Sequence, residues 1–273
     1  MTSAGSFTEP RDLQALEAIR GYVGPNCVPS PERIEALGQT DLVLVSGQFV
    51  GAGKSTFIRE LEQEGRANIP SYTNRDLRRG EVEGIDKVTV SLGQLATLAE
   101  NGELLELEEV RPGVFYATPA RLNPHKRYVK DIELKGALRL RKYSPHIPIV
   151  VPVPPLREVE TGDLTEWERR VAIRDGYRQA ITDNDVKDLH DRLWGVVEEV
   201  DRISHEGLID DPNLAIIIND DLSVALSSMK TFLATGEIPQ RPDELGGYLR
   251  SIRLAGYLHG MKELAATAIM AQA

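Results

Sequence analysis

The chain has a single cysteine, Cys27, among 273 residues. One thiol excludes an internal disulfide and a cysteine-built metal site, which fits a reducing, cytoplasmic setting. Positive charge is also in short supply: 32 Lys and Arg stand against 42 Asp and Glu, a net charge of −10. A broad nucleic-acid footprint needs the opposite sign, so nucleic acid is not an expected partner. The basic side chains must instead act locally, in a site. No apolar run is as long as a membrane span, and the N-terminus lacks a charged-then-apolar leader pattern, so no membrane partner is expected. Internal repeats and low-complexity tracts are absent too. The length suffices for one large α/β domain with additions, or for two small domains.

What is present centres on Gly51-Ala52-Gly53-Lys54-Ser55-Thr56. This stretch follows the apolar run Leu42-Val43-Leu44-Val45 and precedes a helical pattern from Phe57 to Glu64. Strand, glycine loop and helix are the context in which backbone N–H groups close around phosphate oxygens. There, Lys54 would place a point charge on the β and γ phosphates, and the Ser55 hydroxyl would ligate Mg²⁺. The competing reading is a plain glycine turn. The spacing departs from the usual loop, in which about four residues separate the first glycine from the Gly-Lys pair. Gly47 is followed by five, Gln48 to Ala52. Counting back four from Gly53 puts Gln48 in the first glycine's place, so the loop is expected to bulge.

Upstream, Thr8-Glu9-Pro10 can start a helix with Leu13, Leu16 and Ile19 on one side, ended by Gly21, Gly24 and Pro25. Ser30-Pro31 opens a second helix, with Ser30 as cap and Gly38 as its close. Downstream, Val88–Val90 reads as a strand, and Ser91 as the cap of a helix from Leu92 to Glu100. Leu104–Val110 and Val114–Ala117 read as a hairpin around Pro112-Gly113. Then come a strand over 128–134, a short helix over 137–142 and a buried-type strand over 147–153. Two helices, about 164–174 and 178–204, a strand over 214–218 and a helix over 220–233 follow. Strands alternating with helices predict a three-layer α/β sheet. In the tail, Leu254, Leu258, Met261, Leu264 and Ala268 share one helix face, for core packing or a homodimer contact.

The segment Ser71-Tyr72-Thr73-Asn74-Arg75-Asp76-Leu77-Arg78-Arg79-Gly80-Glu81-Val82-Glu83-Gly84-Ile85-Asp86 closely resembles the guanylate kinase signature. In that family a serine, two arginines three apart, Gly-Glu and Gly-x-Asp follow the phosphate loop and its helix. Leu105-Glu106-Leu107 resembles the family's Glu-Trp element, Tyr116-Ala117-Thr118 its Tyr-Gly-Ser/Thr element, and Asp131-Ile132-Glu133-Leu134-Lys135-Gly136 its Asp-Ile-Asp-x-Gln-Gly. Arg170 and Arg174 match the lid arginines and Arg192 the arginine of the next helix. Ile218-Asn219-Asp220-Asp221 matches the Val-Asn-Asp-Asp run. The pieces fall in order over about residues 40–233.

The resemblance implies a three-layer P-loop NTPase fold with a parallel sheet. It divides the chain into a helical N-terminal extension (1–40), a guanylate kinase-like domain (41–235) and a helical C-terminal extension (236–273). Within the domain it implies a small β-rich GMP-binding insert near 71–125 and a helical lid near 160–195. The implied reaction moves the ATP γ-phosphate to GMP or dGMP, with Mg²⁺ on Ser55. ATP would be held by Gly47, Gly51, Ala52, Gly53, Lys54, Ser55, Thr56 and Asn219. Lys54, Arg170, Arg174 and Arg192 would be catalytic. Arg75, Arg78, Tyr116 and Lys87 would face the GMP phosphate, Ser71, Glu106, Thr118 and Glu133 the guanine, and Glu81 would also belong to the GMP site.

The chemistry is apt. Forked guanidinium donors suit a doubly charged phosphate, and a carboxylate suits guanine's N1–H and N2–H₂ donors. Competing readings are surface charge for Arg75 and Arg78, and a solvent-facing strand edge for Glu106, beside Glu103, Glu108 and Glu109. Two residues depart from the pattern: Lys87 stands where the family has a phosphate-binding tyrosine, and Glu133 is one methylene longer than the family's aspartate. Two other functions remain open here. One is a kinase of another phosphorylated acceptor such as ribose 1,5-bisphosphate. The other is a non-catalytic guanylate kinase-like binding module.

Overall fold

The structure is a computed structural model, and it describes residues 10–47, 52–78, 80–153, 198–219 and 221–237. The predicted helix over 164–174, most of that over 178–204 and the C-terminal helix lie outside the described residues. The chain divides into two compact units, 1–44 with 61–147, and 45–60 with 148–273.

In the first unit, α1 (Pro10–Arg20) and α2 (Pro31–Gly38) precede β1 (Asp41–Ser46), which ends in the second unit. Ser30 occupies the cap position of α2, but its side chain makes no capping bond. Its hydroxyl donates instead to Glu32 Oε2 at 3.0 Å. A short strand β2 (Ala67–Asn68) pairs in parallel with β7 (Arg127–Ile132). The sequence reading carried that strand on to Leu134; it stops at Ile132, because Glu133 is the N-cap of α5 (Leu134–Tyr143).

Between β2 and β7 the chain builds a second sheet. Its strands β3 (Ser71–Thr73), β4 (Lys87–Thr89), β5 (Leu104–Arg111) and β6 (Val114–Pro119) take the order β4-β3-β6-β5. β3 runs parallel to β4 and antiparallel to β6, and β5 and β6 form the expected hairpin. α4 (Leu92–Glu100) starts as read: Ser91 Oγ accepts from Gln94 N, and Gln94 Oε1 accepts from Ser91 N, a reciprocal capping box.

The core of this region joins α1 to the second sheet. Ile19, Cys27, Leu92, Leu95, Leu104, Leu107 and Phe115 are all buried in one cluster. Arg20 and Glu109 close it with an ion pair at 2.7 Å. Burial pushes the Cys27 thiol up to about 12, so it is a core side chain and not a nucleophile.

In the second unit, β8 (Ile149–Val153) and β9 (Leu214–Ile218) pair in parallel along their full length. Nine of their ten residues are buried, all but Ile218, and apart from Pro152 those nine are Val, Ile, Leu and Ala; such runs belong to sheets covered on both faces. Residues 198–205 are helical. α6 (Leu222–Thr235) is capped by Asp221, whose side chain accepts from Val224 N at 3.0 Å, and ends at Gly236.

Phe115 is fully buried. Phe115→Ala should destabilise the protein by about 3–5 kcal/mol, read as a fall in the urea midpoint. A midpoint within experimental error of wild type would show that the cluster is not cohesive.

Candidate phosphate loop and acceptor pocket

In the second unit, β1 delivers the chain to Ser46, a buried residue whose hydroxyl has no partner among the described residues. Gly47 follows with φ 124. Gln48 to Gly51 lie outside the described residues. The chain re-enters at Ala52 and Gly53, and α3 (Lys54–Gln63) begins at Lys54. Lys54, Ser55 and Thr56 thus form the first turn of a helix that follows a strand and a glycine loop. The dipole of such a helix favours an anion at its N-terminus.

Asn219, just past β9, holds this loop. Its Nδ2 donates to Ala52 O at 2.8 Å, and its own N–H donates to Val153 O at 2.9 Å. Gly53 has φ +93, and a Cβ there would sit 2.5 Å from Asn219 Nδ2. Glycine is therefore required twice at this position, for its backbone angle and for the approach of the amide.

The first unit carries the candidate acceptor residues, and strand register lines them up. Ser71 pairs with Lys87, and Glu106 pairs with Thr118. Tyr72 pairs with Ala117 and Thr73 with Tyr116, so one step along this register Ser71 stands across from Thr118. Lys87, Ser71, Thr118 and Glu106 therefore form one row across all four strands. Each is buried.

Glu106 is only 5% exposed, which removes the solvent-facing alternative. Its Oε1 accepts from Thr118 Oγ1 at 2.6 Å. A Cβ on Gly136 would lie 3.2 Å from Glu106 Oε2, so the glycine in the first turn of α5 leaves room for the carboxylate. Burial raises the Glu106 pKa above its usual 4.5. The Thr118 hydrogen bond and the charges of Lys130 and Arg139 pull it back, Glu133 pushes it further up, and the net shift is upward. Glu108, next on the same face of β5, is also buried and is engaged by Arg139 and Lys135.

The adjoining row handles the arginine. Arg75 is 14% exposed and forks onto Glu81, with contacts of 2.8 and 2.7 Å. Its Nε donates to Tyr116 OH at 2.7 Å. Burial lowers the guanidinium pKa, but the bonds to Glu81 and Tyr116 outweigh it, and the net shift is upward. Glu81 shows the reverse balance: burial raises its pKa, while Arg75 and the Arg78 N–H, which donates at 2.8 Å, bring it below the usual range. The surface-charge reading therefore does not hold for Arg75. Glu81 braces it from within the chain.

One residue escaped the sequence reading. Lys130, inside β7, is 1% exposed and donates to both Ser71 Oγ and Asp131 O. Lys87 Nζ donates to the same Ser71 Oγ at 3.2 Å and lies 5.0 Å from the centre of the Tyr116 ring. A lysine within a strand buried on both sides was the available signal. Arg170, Arg174, Arg192 and Asp220 lie outside the described residues.

Strand, glycine loop and helix, with parallel strands and intervening helices, define a phosphate-loop α/β protein. The chain belongs to the guanylate kinase family: it is 31% identical over 189 residues to a guanylate kinase of Salinibacter ruber, spanning 66% of this chain and 89% of that protein. It is 31% identical over 187 residues to one of Gloeobacter violaceus, spanning 63% and 90% respectively. To one of Pseudomonas fluorescens it is 27% identical over 203 residues, spanning 71% and 87%. No family model matches. A crystal structure of guanylate kinase from Anaplasma phagocytophilum aligns with a TM-score of 0.45 and 21% identity, covering 71% of this chain and 84% of that one.

Gly53→Ala should cost about 1–3 kcal/mol from the backbone angle alone, and thermal melting of the variant should drop accordingly; an unchanged melting temperature would refute the brace. Glu106 makes a second prediction. A raised pKa means the folded chain holds the proton more tightly than the unfolded chain does. Its contribution to stability is thus fully present at acid pH and is lost as pH rises through the folded-state pKa. The stability of wild type relative to Glu106→Gln should fall as pH climbs above the ordinary carboxylate range. A difference that is flat in pH would remove the buried carboxylate from this account.

Proposed function

We propose that the protein is a nucleoside monophosphate kinase that moves the γ-phosphate of ATP to GMP or dGMP. The observation that carries the reading is the buried row ending in Glu106. A carboxylate with one oxygen engaged by Thr118 keeps lone pairs for the N1–H and N2–H₂ donors of guanine. Arg75, pre-oriented by Glu81 and Tyr116, and Arg78 supply the acceptor phosphate with forked donors. A site that satisfies polar edges in this way rejects bases that lack them by about 10⁴-fold or more.

On this reading the nucleophile is already an anionic phosphate oxygen, so no strong general base is needed. Catalysis is positioning and charge neutralisation. Lys54 meets the β and γ phosphates, and Arg170, Arg174 and Arg192 take the roles that the family resemblance gives them. Ser55, exposed in the first turn of α3, offers the hard hydroxyl oxygen that Mg²⁺ takes beside phosphate and water ligands. The ion would neutralise charge on the transferred group. The guanylate kinase-like domain of this reading covers 41–235, flanked by the two extensions.

A second reading is favoured by Lys87 and Lys130, which put two ammonium groups in the acceptor region. A bisphosphorylated sugar such as ribose 1,5-bisphosphate could use both.

An ADP-release assay with GMP, dGMP, AMP and ribose 1,5-bisphosphate separates the two readings. GMP and dGMP should be the preferred acceptors, and Lys54→Ala should lower kcat by about 10²–10³-fold or more without loss of fold. Turnover with the sugar bisphosphate and none with GMP would sink the first reading. Failure to bind ATP and Mg²⁺ by calorimetry would favour a binding module.

A further inference from the structure

The N-terminal extension reaches the acceptor side through one arginine. β5 is an edge strand of the second sheet, and the short 3₁₀ turn Gly24–Asn26 packs on it. Cys27, at the end of that turn, donates its thiol to Leu104 O at 3.9 Å. Gly24 is buried and has φ +72, and a Cβ there would lie 3.0 Å from Arg139 Nη2 and 3.3 Å from the guanidinium carbon. A side chain at position 24 would therefore press on the guanidinium as well as strain the backbone.

Arg139, on α5, pairs through Nη1 with Glu108 Oε1. Lys135 Nζ stands 3.7 Å from the other Glu108 oxygen. A buried ion pair yields little net stability, because both ions give up water. What this one fixes is geometry. Glu106 and Glu108 point to the same face of β5, and Gly136 and Arg139, three apart, lie on one side of α5. Gly136 leaves room for Glu106 Oε2, and Arg139 holds Glu108. The pair thus pins helix to strand one step from the acceptor carboxylate. The Arg139 charge also favours the ionised form of Glu106, and Arg139 and Glu106 both act electrostatically on Cys27. Extension, ion pair and acceptor carboxylate share one neighbourhood.

We propose that Arg139, seated by Gly24 and paired with Glu108, is a positioning residue for acceptor binding, which makes the N-terminal extension a working part of the acceptor site. The proposal rests on the reading of Glu106 as an acceptor-binding carboxylate and deepens it. Gly24, Glu108 and Arg139 act through Glu106, by fixing where β5 and α5 hold it.

The test is steady-state kinetics of the full chain by ADP release, with GMP and ATP varied in turn. Arg139→Gln should raise KM for GMP by about tenfold, the size of one hydrogen bond to a charged group, with KM for ATP and kcat unchanged. Arg139→Lys keeps the charge and loses the planar fork, and should recover part of that affinity. Gly24→Ala keeps every charge and displaces only the guanidinium. It should raise KM for GMP in the same direction, and it serves if Arg139→Gln does not fold. Arg20→Gln is the control: it releases the extension from Glu109, away from Arg139, and should lower the melting temperature without moving KM for GMP.

A merely structural pair would lower the melting temperature and leave KM for GMP where it is in the folded variants. That result overturns the proposal and leaves the kinase reading standing. An equal rise in Arg20→Gln overturns it too, because the extension would then act by bulk support, and so does a rise shared by KM for ATP. Wild type that transfers no phosphate to GMP removes the kinase reading and the proposal with it.

Discussion

A carboxylate buried in a sheet is the constraint on which the acceptor region turns. Glu106 sits 5% exposed, and an unpaired charge at such depth would be prohibitive. The fold meets the cost in three ways: a hydroxyl directly across the strand pair, cations on neighbouring elements, and a glycine that leaves space beside Oε2. These belong to β6, β7 and α5 in turn, so the carboxylate ties a hairpin to a parallel strand and to the helix that follows it. The net upward pKa shift of Glu106 reflects burial that these partners do not fully offset.

The same economy governs the arginine beside it. Arg75 could have been an exposed side chain on a polar loop. Glu81, six residues on, folds back to fork onto it, and Tyr116 fixes Nε from the facing strand. A guanidinium held in this way loses little freedom when a phosphate arrives. In the second unit, Asn219 does for the glycine loop what Glu81 does for Arg75: it fixes the main chain from a distant strand end. In each unit, then, the groups that would touch a ligand are held by a partner far away in sequence or across a loop.

Much of this was legible in the sequence. The Gly-Lys-Ser-Thr run between an apolar strand and a helix located the loop. The ordered series of short motifs singled out Ser71, Arg75, Glu106, Tyr116 and Thr118, which the fold gathers on and beside the second sheet. Ser91 with Gln94 gave the start of α4. What could not be read was register. Alternation alone left Glu106 as plausible on a wet face as on a dry one, because Glu103, Glu108 and Glu109 share the strand region. Only the pairing of Glu106 with Thr118 and of Ser71 with Lys87 decides it. Lys130 was missed for a related reason. Its segment was read only as a strand over 128–134, and a lysine within it becomes informative only once its depth and its partner are known. Ser30 shows a limit of the opposite kind: a cap residue in a cap position whose hydroxyl prefers Glu32.

The first helix adds a consequence for how small this molecule can be made. Ile19 lies at zero exposure in the cluster formed by α4, β5 and β6, and the Ser30 amide donates to Gly102 O where α4 turns toward β5. These upstream segments form the back wall of the sheet whose front carries the acceptor row. A shortened chain starting at the first strand of the phosphate loop would leave a greasy trough on that sheet. The smallest autonomous version of this protein accordingly begins well before its first recognisable motif.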